Sequence, residues 1–335
     1  MGERRMKITL SHGNGAEETS ELIASVFMRH FENEYARMED AAVLPFAGRK
    51  LAFTTDSFVV RPMFFPGGDI GRLAVCGTVN DLLTTGGRPL YLSASFILEE
   101  GADTDEIGEI ARSMREAADE AGVFIVTGDT KVIESAIPTV RESGGVLINT
   151  AGVGAAGDVS VRGVAEGDAI LISGSLGDHH ACILSRRLGI QNGVRSDAAP
   201  LVELVGALTA GGAPVHGLRD VTRGGLATVL NEIAGAAGLM AEIDEGVLPV
   251  SDEVSGFCRI LGLDPLYMGN EGKMLAVVPA GRADAAADIM RRCRYGENAA
   301  VIGRFRKGSG VVMNTKIGGK RKVAALSGEG LPRIC

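Results

Sequence analysis

The sequence predicts an α/β (α+β) chain of two domains, and three observations carry that reading. Strand-like apolar runs alternate with helix-like ones from Leu51 to Asn314. Gly, Asp and Arg interrupt that alternation at 157–167. A length of 335 residues also exceeds what one ordinary core encloses.

Each element follows from its local pattern. Leu51–Val60 is an apolar strand. Over Asp69–Thr85, Ile70, Leu73, Ala74 and Gly77 fall at helical spacing. Leu90–Leu98 reads as a strand, and Thr104–Ala121 as a helix with a threonine cap and an acidic first turn. Phe124–Val132 and Val146–Val153 complete the first cycle as strands. The second cycle starts at Asp168 with strand Ala169–Ser173, then helices over His179–Leu188, Leu201–Ala210 and Gly225–Ala236. Strand Met240–Ile243, helix Asp252–Leu261, strand Met274–Val278 and helix Arg282–Arg292 follow. Strands near Val301–Phe305 and Val311–Asn314 end it. The expected division is residues 1–156, residues 157–326, and a tail at 327–335 whose two glycines and proline lack periodicity.

Composition removes several classes of function. No apolar run approaches the ~20 residues that span a bilayer, and the basic start at Met1–Lys7 leads into no secretory core, so the cytoplasm is expected. A net charge of −8 without a Lys/Arg cluster argues against nucleic acid. The five cysteines include no CxxC pair and fit reduced thiols; Cys76, Cys182, Cys258 and Cys293 sit among apolar neighbours as small core residues. Neither GxGxxG nor GxxxxGK[ST] occurs.

Three aspartates share one context. Asp56 lies inside or at the end of an apolar strand, Asp81 lies on a helix built for burial, and Asp129 lies at the end of the strand Phe124–Val126. Carboxylates enter such elements when paired or bound to a cation. Converging, the three would suit Mg²⁺, which takes oxygen ligands and bridges phosphates. Lys131 would add positive charge there. Gly13, within Ser11-His-Gly-Asn-Gly-Ala16, offers backbone N–H groups to phosphate. Arg223, in Arg219-Asp-Val-Thr-Arg-Gly-Gly-Leu226 ahead of a helix, offers an anion contact, with a simple cap as the alternative. Glu271, in Gly269-Asn-Glu-Gly-Lys273, stands where a general base is useful. Adjacent His179 and His180 point different ways around a helix with no third ligand at a useful spacing, so they are not read as a metal site. Cys335 differs from the other cysteines: it ends a glycine-hinged tail stiffened by Pro332, and Arg333 offsets the terminal carboxylate. Nine residues from Ser327 reach about 30 Å, which suits a carrier thiol.

Taken together, His12-Gly-Asn-Gly, Thr55-Asp-Ser-Phe-Val, Gly77-Thr-Val-Asn-Asp-Leu, Thr127-Gly-Asp-Thr-Lys, Arg219-Asp-Val-Thr-Arg-Gly-Gly-Leu, Asn270-Glu-Gly and Pro332-Arg-Ile-Cys335 resemble the hydrogenase-maturation carbamoyl dehydratases, the HypE family. Most of these motifs are shared with the superfamily of aminoimidazole ribonucleotide synthetase and selenophosphate synthetase; the terminal Pro-Arg-Ile-Cys singles out HypE. The resemblance implies a two-domain synthetase-like fold, N-terminal sheets joining in a homodimer, ATP near that interface, and a flexible C-terminal tail. It implies that a HypF-like carbamoyltransferase loads a carbamoyl group onto the Cys335 sulfur. ATP-dependent dehydration to a thiocyanate follows, and cyanide passes to iron held by a HypC–HypD-like complex. Asn80 and Thr130 join Asp56, Asp81, Asp129, Gly13 and Arg223 as cofactor contacts, with Mg²⁺ on the three aspartates and Lys131 and Glu271 at the amide. The alternatives are another phosphorylating enzyme of the superfamily and a nucleotide-binding scaffold without catalysis.

Overall fold

The computed structural model describes residue 17 and residues 42–46, 49–99, 102–133, 145–211 and 214–327. Gly13, Cys335 and the tail from 328 onward lie outside them, as does the Thr130 side chain.

The first sheet has five strands. β1 (Ala42–Phe46) pairs with β2 (Arg49–Phe58), and a small β3–β4 hairpin (Phe64–Phe65, Gly68–Asp69) leads into helix α1 (Ile70–Leu83). β5 (Arg88–Glu99), α2 (Thr104–Ala121), β6 (Phe124–Ile133) and β7 (Val146–Ala155) follow, in spatial order β1-β2-β7-β5-β6. α1 packs on β2 and β7, and α2 packs on α1, so the helices cover one face. The period of two in a strand explains the rest. Along β2, Ala52, Thr54 and Phe58 are buried against α1 while Phe53 points out, 41% exposed, and Val59, just beyond the strand, is 40% exposed. Tyr91, Ile97, Phe124 and Val126 extend this open apolar area.

The second sheet has seven strands in the order β14-β13-β10-β12-β8-β11-β9. In chain order its elements are β8 (Ala169–Ile172), α3 (Asp178–Arg187), α4 (Val202–Ala210), β9 (Gly217–Asp220), α5 (Gly225–Ala237) and β10 (Met240–Asp244). Then come α6 (Asp252–Leu261), β11 (Met274–Val278), α7 (Ala283–Arg292), β12 (Ala300–Arg306), β13 (Gly310–Asn314) and β14 (Lys320–Val323). β8 and β11 are buried at every position. Ile170, Ile172, Leu275 and Val277 face α5, and their alternates Leu171, Met274 and Ala276 join the core shared with α1, α3, α4 and α7. That shared core draws the first-sheet helix α1 against the second half of the chain.

Two details depart from the sequence reading. The cap of α2 is Asp103, whose carboxylate accepts the Asp105 N–H, and Thr104 is already helical. Strand β9 (Gly217–Asp220) is not among the expected elements; it pairs antiparallel with β11, and α5 begins at Gly225, where the sequence reading places it. The four cysteines expected in the core are buried. Among the described residues no helix is long and apolar enough to cross a membrane.

Candidate active site

A cavity of about 190 Å³ opens where the two halves meet, lined by Thr54, Thr55 and Asp56 of β2, Gly77 and Asp81 of α1, and Asp220, Thr222, Arg223 and Glu271. α1 can lie this close to β2 because residue 77 is glycine. A Cβ there would come within 2.9 Å of the Phe58 ring and 3.9 Å of Asp56 Oδ2. Asp81 sits one turn along α1 and accepts a hydrogen bond from Thr54 Oγ1 at 2.8 Å. From the second half, β9 ends at Asp220 and the turn after it carries Thr222 and Arg223.

Glu271 stands on a short segment between the last 3-10 turn before β11 and β11 itself. It is 3% exposed, and its Oε1 has no hydrogen-bond partner among the described residues. Burial raises its pKa well above the ordinary carboxylate range; Asp197, Asp56 and Asp220 raise it further, and Arg223 pulls it down. Asp56 is raised for the same first reason, burial, with Arg223 and the Ser57 N–H opposing. Four carboxylates therefore face one guanidinium, an arrangement that a hard cation relieves. The donor set consists of carboxylate and hydroxyl oxygens, which suits Mg²⁺ rather than a softer ion. Among the described residues no three carboxylate, His or Cys side chains stand close enough to enclose a metal by themselves. A cation here would complete its shell with water and phosphate, as Mg²⁺ commonly does.

Within one chain the three expected aspartates do not converge. Asp56 and Asp81 share the cavity, but Asp129 is on β6. Asp56 pairs with Thr150, Thr150 with Ala94, and the next residue of β5, Ser95, with Asp129. Three strand spacings separate them, about 14 Å. There Asp129 pairs with Lys131 at 3.1 Å on an exposed edge strand, and neither lines the cavity. Asn80, expected at the cofactor, instead faces the protein interior. It is 2% exposed and holds backbone, donating to Ala199 O at 3.0 Å and accepting from Leu201 N at 2.9 Å. Asp220 is not singled out by the sequence although it lies inside a quoted motif, since it ends β9, a four-residue strand with too little apolar sequence to be recognised.

The paired histidines are core residues. His179 Nδ1 lies 2.7 Å from Ser196 Oγ, and the Gly269 N–H donates to His180 Nδ1 at 3.4 Å. Burial pushes the His180 ring down to about 3.

Comparison with known proteins fits this geometry. Residues 38–156 match the AIR synthase related protein N-terminal domain, and residues 165–316 match its C-terminal domain. The carbamoyl dehydratase HypE of Cupriavidus necator is 47% identical over 338 residues, covering 98% of this chain and 95% of that protein. The chain belongs to the HypE family. A solved HypE–HypF complex superposes with a TM-score of 0.85 at 44% identity, covering 91% of this chain and 99% of that one. A HypE structure in complex with ATP gives 0.82 at 46% identity, with 98% and 100% covered. The two-domain synthetase-like architecture expected from the sequence is thus the one this family has.

Proposed function

We propose that this chain is an ATP-dependent carbamoyl dehydratase acting on a carbamoyl group carried by its own Cys335. The observation that carries the proposal is Glu271, a buried carboxyl with an unpartnered oxygen, in a family whose relatives are named for this dehydration and include an ATP-bound HypE. Oxide does not leave an amide carbon, so the oxygen must first become a better leaving group. ATP supplies the phosphoryl group for that, and Mg²⁺ supplies positive charge for its phosphates.

This chain's residues do the rest. Asp56, Asp81 and Asp220 line the cavity and would hold a cation through their oxygens together with water and phosphate. Arg223 faces the negative charge that accumulates. Glu271 takes one N–H proton from the amide, for which a raised affinity for protons prepares it, and the second N–H proton leaves with the departing phosphate as the C≡N bond forms. Thr55 and Arg223 of the cavity are exposed, so closure over the tail would be needed to keep out water that competes for the phosphoryl group. The products are a Cys335 thiocyanate, ADP and phosphate.

The open face of the first sheet supports a homodimer, since Phe53, Val59 and Tyr91 form an apolar area that a second copy would cover. In that dimer Asp129, Thr130 and Lys131 of one chain would complete the site of the other, which accounts for their distance from Asp56. Gly13 would add backbone N–H groups. A HypF-like carbamoyltransferase loads the sulfur, and the cyano group passes to iron on a HypC–HypD-like complex. The test is intact mass after incubation with the carbamoyltransferase, carbamoyl phosphate and ATP. The chain should gain a carbamoyl group and then lose one water, and Cys335→Ala should show neither change. A thiocyanate-bearing product from C335A would overturn the proposal.

A further inference from the structure

Glu271 owes its place to no bond of its own free oxygen, so something else must fix it. The segment Glu271-Gly272-Lys273 lies against the loop at 196–201. Asp197 grips it at both ends: Oδ1 accepts the Glu271 N–H at 3.0 Å and Oδ2 accepts from Lys273 Nζ at 2.8 Å. The Asp197 and Lys273 side chains are 6% and 9% exposed, so this ion pair is sheltered from solvent. Between these two bonds, Gly272 comes so close to the Asp197 carbonyl that a Cβ would lie 1.9 Å from the oxygen. Ala199 N donates to Glu271 O at 3.3 Å, and Asn80 reaches in from α1 to bond Ala199 O and, at 3.5 Å, Glu271 O. The loop at 196–201 is therefore a splint along the back of the segment, and Asp197 is its principal contact.

We propose that Asp197 is a positioning residue for Glu271, holding the segment so that the carboxyl points into the cavity. This rests on the reading of Glu271 as the base at the amide. Asp197 does not line the cavity that contains Asp56, and with Lys273 it borders a separate cavity of about 600 Å³. Asp197 thus reaches Glu271 in two ways, through its charge, which raises the proton affinity of the carboxyl, and through the backbone bond, which alone holds the segment in place. Losing the tether should slow proton removal while leaving ATP binding, which depends on other walls of the site, nearly intact.

The experiment uses the full chain, carbamoylated on Cys335 by the carbamoyltransferase, with loss of water followed by intact mass at several ATP concentrations. Two double variants separate the tether from the buried charge pair. D197N/K273M removes the charges but keeps a side-chain oxygen for the Glu271 N–H, and D197A/K273M removes that acceptor too. A displacement near 1 Å is enough to lower the saturated rate of D197A/K273M about 10- to 100-fold, with half-saturating ATP changed less than about threefold, while D197N/K273M stays within about threefold in rate. Melting curves show whether each variant is folded. Should D197A/K273M not fold, Gly272→Ala forces the same segments apart and is expected to give the same split. Equal rates in the two double variants, or a loss expressed mainly in half-saturating ATP, would overturn the role of Asp197. E271Q is run alongside: at full rate it would remove the reading of Glu271 and this proposal with it, whereas a slow E271Q with unaffected Asp197 variants overturns this proposal alone.

Discussion

Gly272→Ala adds one methyl group at the tightest point behind the candidate base. The added Cβ would sit 1.9 Å from a backbone oxygen, which has no rotamer with which to move aside. Ordinary contact begins near 3.4 Å, so the two segments must separate by about 1.5 Å. Overpacking of this kind costs about 1–3 kcal/mol. Because the adjacent residue is Glu271, the same displacement moves its carboxyl by about 1 Å, enough to lower the dehydration rate about 10²-fold. The assay is single-turnover loss of water from the carbamoylated chain, with a urea melt on the same sample. Gly206→Ala serves as the control, since this α4 glycine has no atom within 4 Å of an added Cβ. Alanine there should stabilise by about 0.5–1 kcal/mol without touching the rate. A G272A protein that dehydrates at the wild-type rate would refute the argument that the backbone contact sets the position of Glu271.

His180 provides a pH test. Its pKa is about 3 in the fold against 6.5 unfolded, so the unfolded chain binds the proton first and stability falls as pH drops below about 6.5. Between pH 7 and 5, H180M should lose about 2 kcal/mol less than the wild type in urea melts, and parallel losses would contradict the assignment. At the sheet edge, F124D/V126D places charge where side chains are 68% and 59% exposed in the single chain. If a second copy covers this edge, sedimentation should show monomers and the dehydration rate should collapse; an unchanged dimer would place the interface elsewhere.

How much of this was legible in the sequence depended on the length and periodicity of each element. α1, α2 and α5 announced themselves because ten or more residues carried one spacing, and β11 because Met274–Val278 is uniformly apolar. β9 has only four residues, one of them Arg219, and β14 is Lys-Arg-Lys-Val; neither offers enough apolar sequence to be recognised alone. The carboxylates at 56 and 81 stood out because their elements were otherwise apolar. Asp220 was hidden with its strand. Asn80 misled because a motif records which residues recur together and says nothing of the direction in which each points. On α1 it lies beside Asp81, yet 100° of helix rotation turns its amide inward to the loop at 199–201. Asp197 carried no sequence signal, as its work is a contact between segments 74 residues apart.

The placement of the carboxylates explains why the site is divided between two halves of the chain. Asp56 and Asp81 come from the first sheet and its helix, Asp220 and Glu271 from the second. Gathered on one sheet, four such groups would repel one another within a single folding unit, and their burial would oppose the formation of that unit. Divided, each half folds with two, and the repulsion falls on the contact between halves. That contact is held by the apolar core around α1 and by Asn80, whose bonds to backbone do not depend on charge. A cation with phosphates would relieve the remaining repulsion, so filling the site and closing the two halves would favour each other. The tether behind Glu271 then matters for a second reason. Asp197 adds to the repulsion that raises the proton affinity of Glu271 and, through the Glu271 N–H, holds its backbone in place, so one carboxyl is both crowded and still.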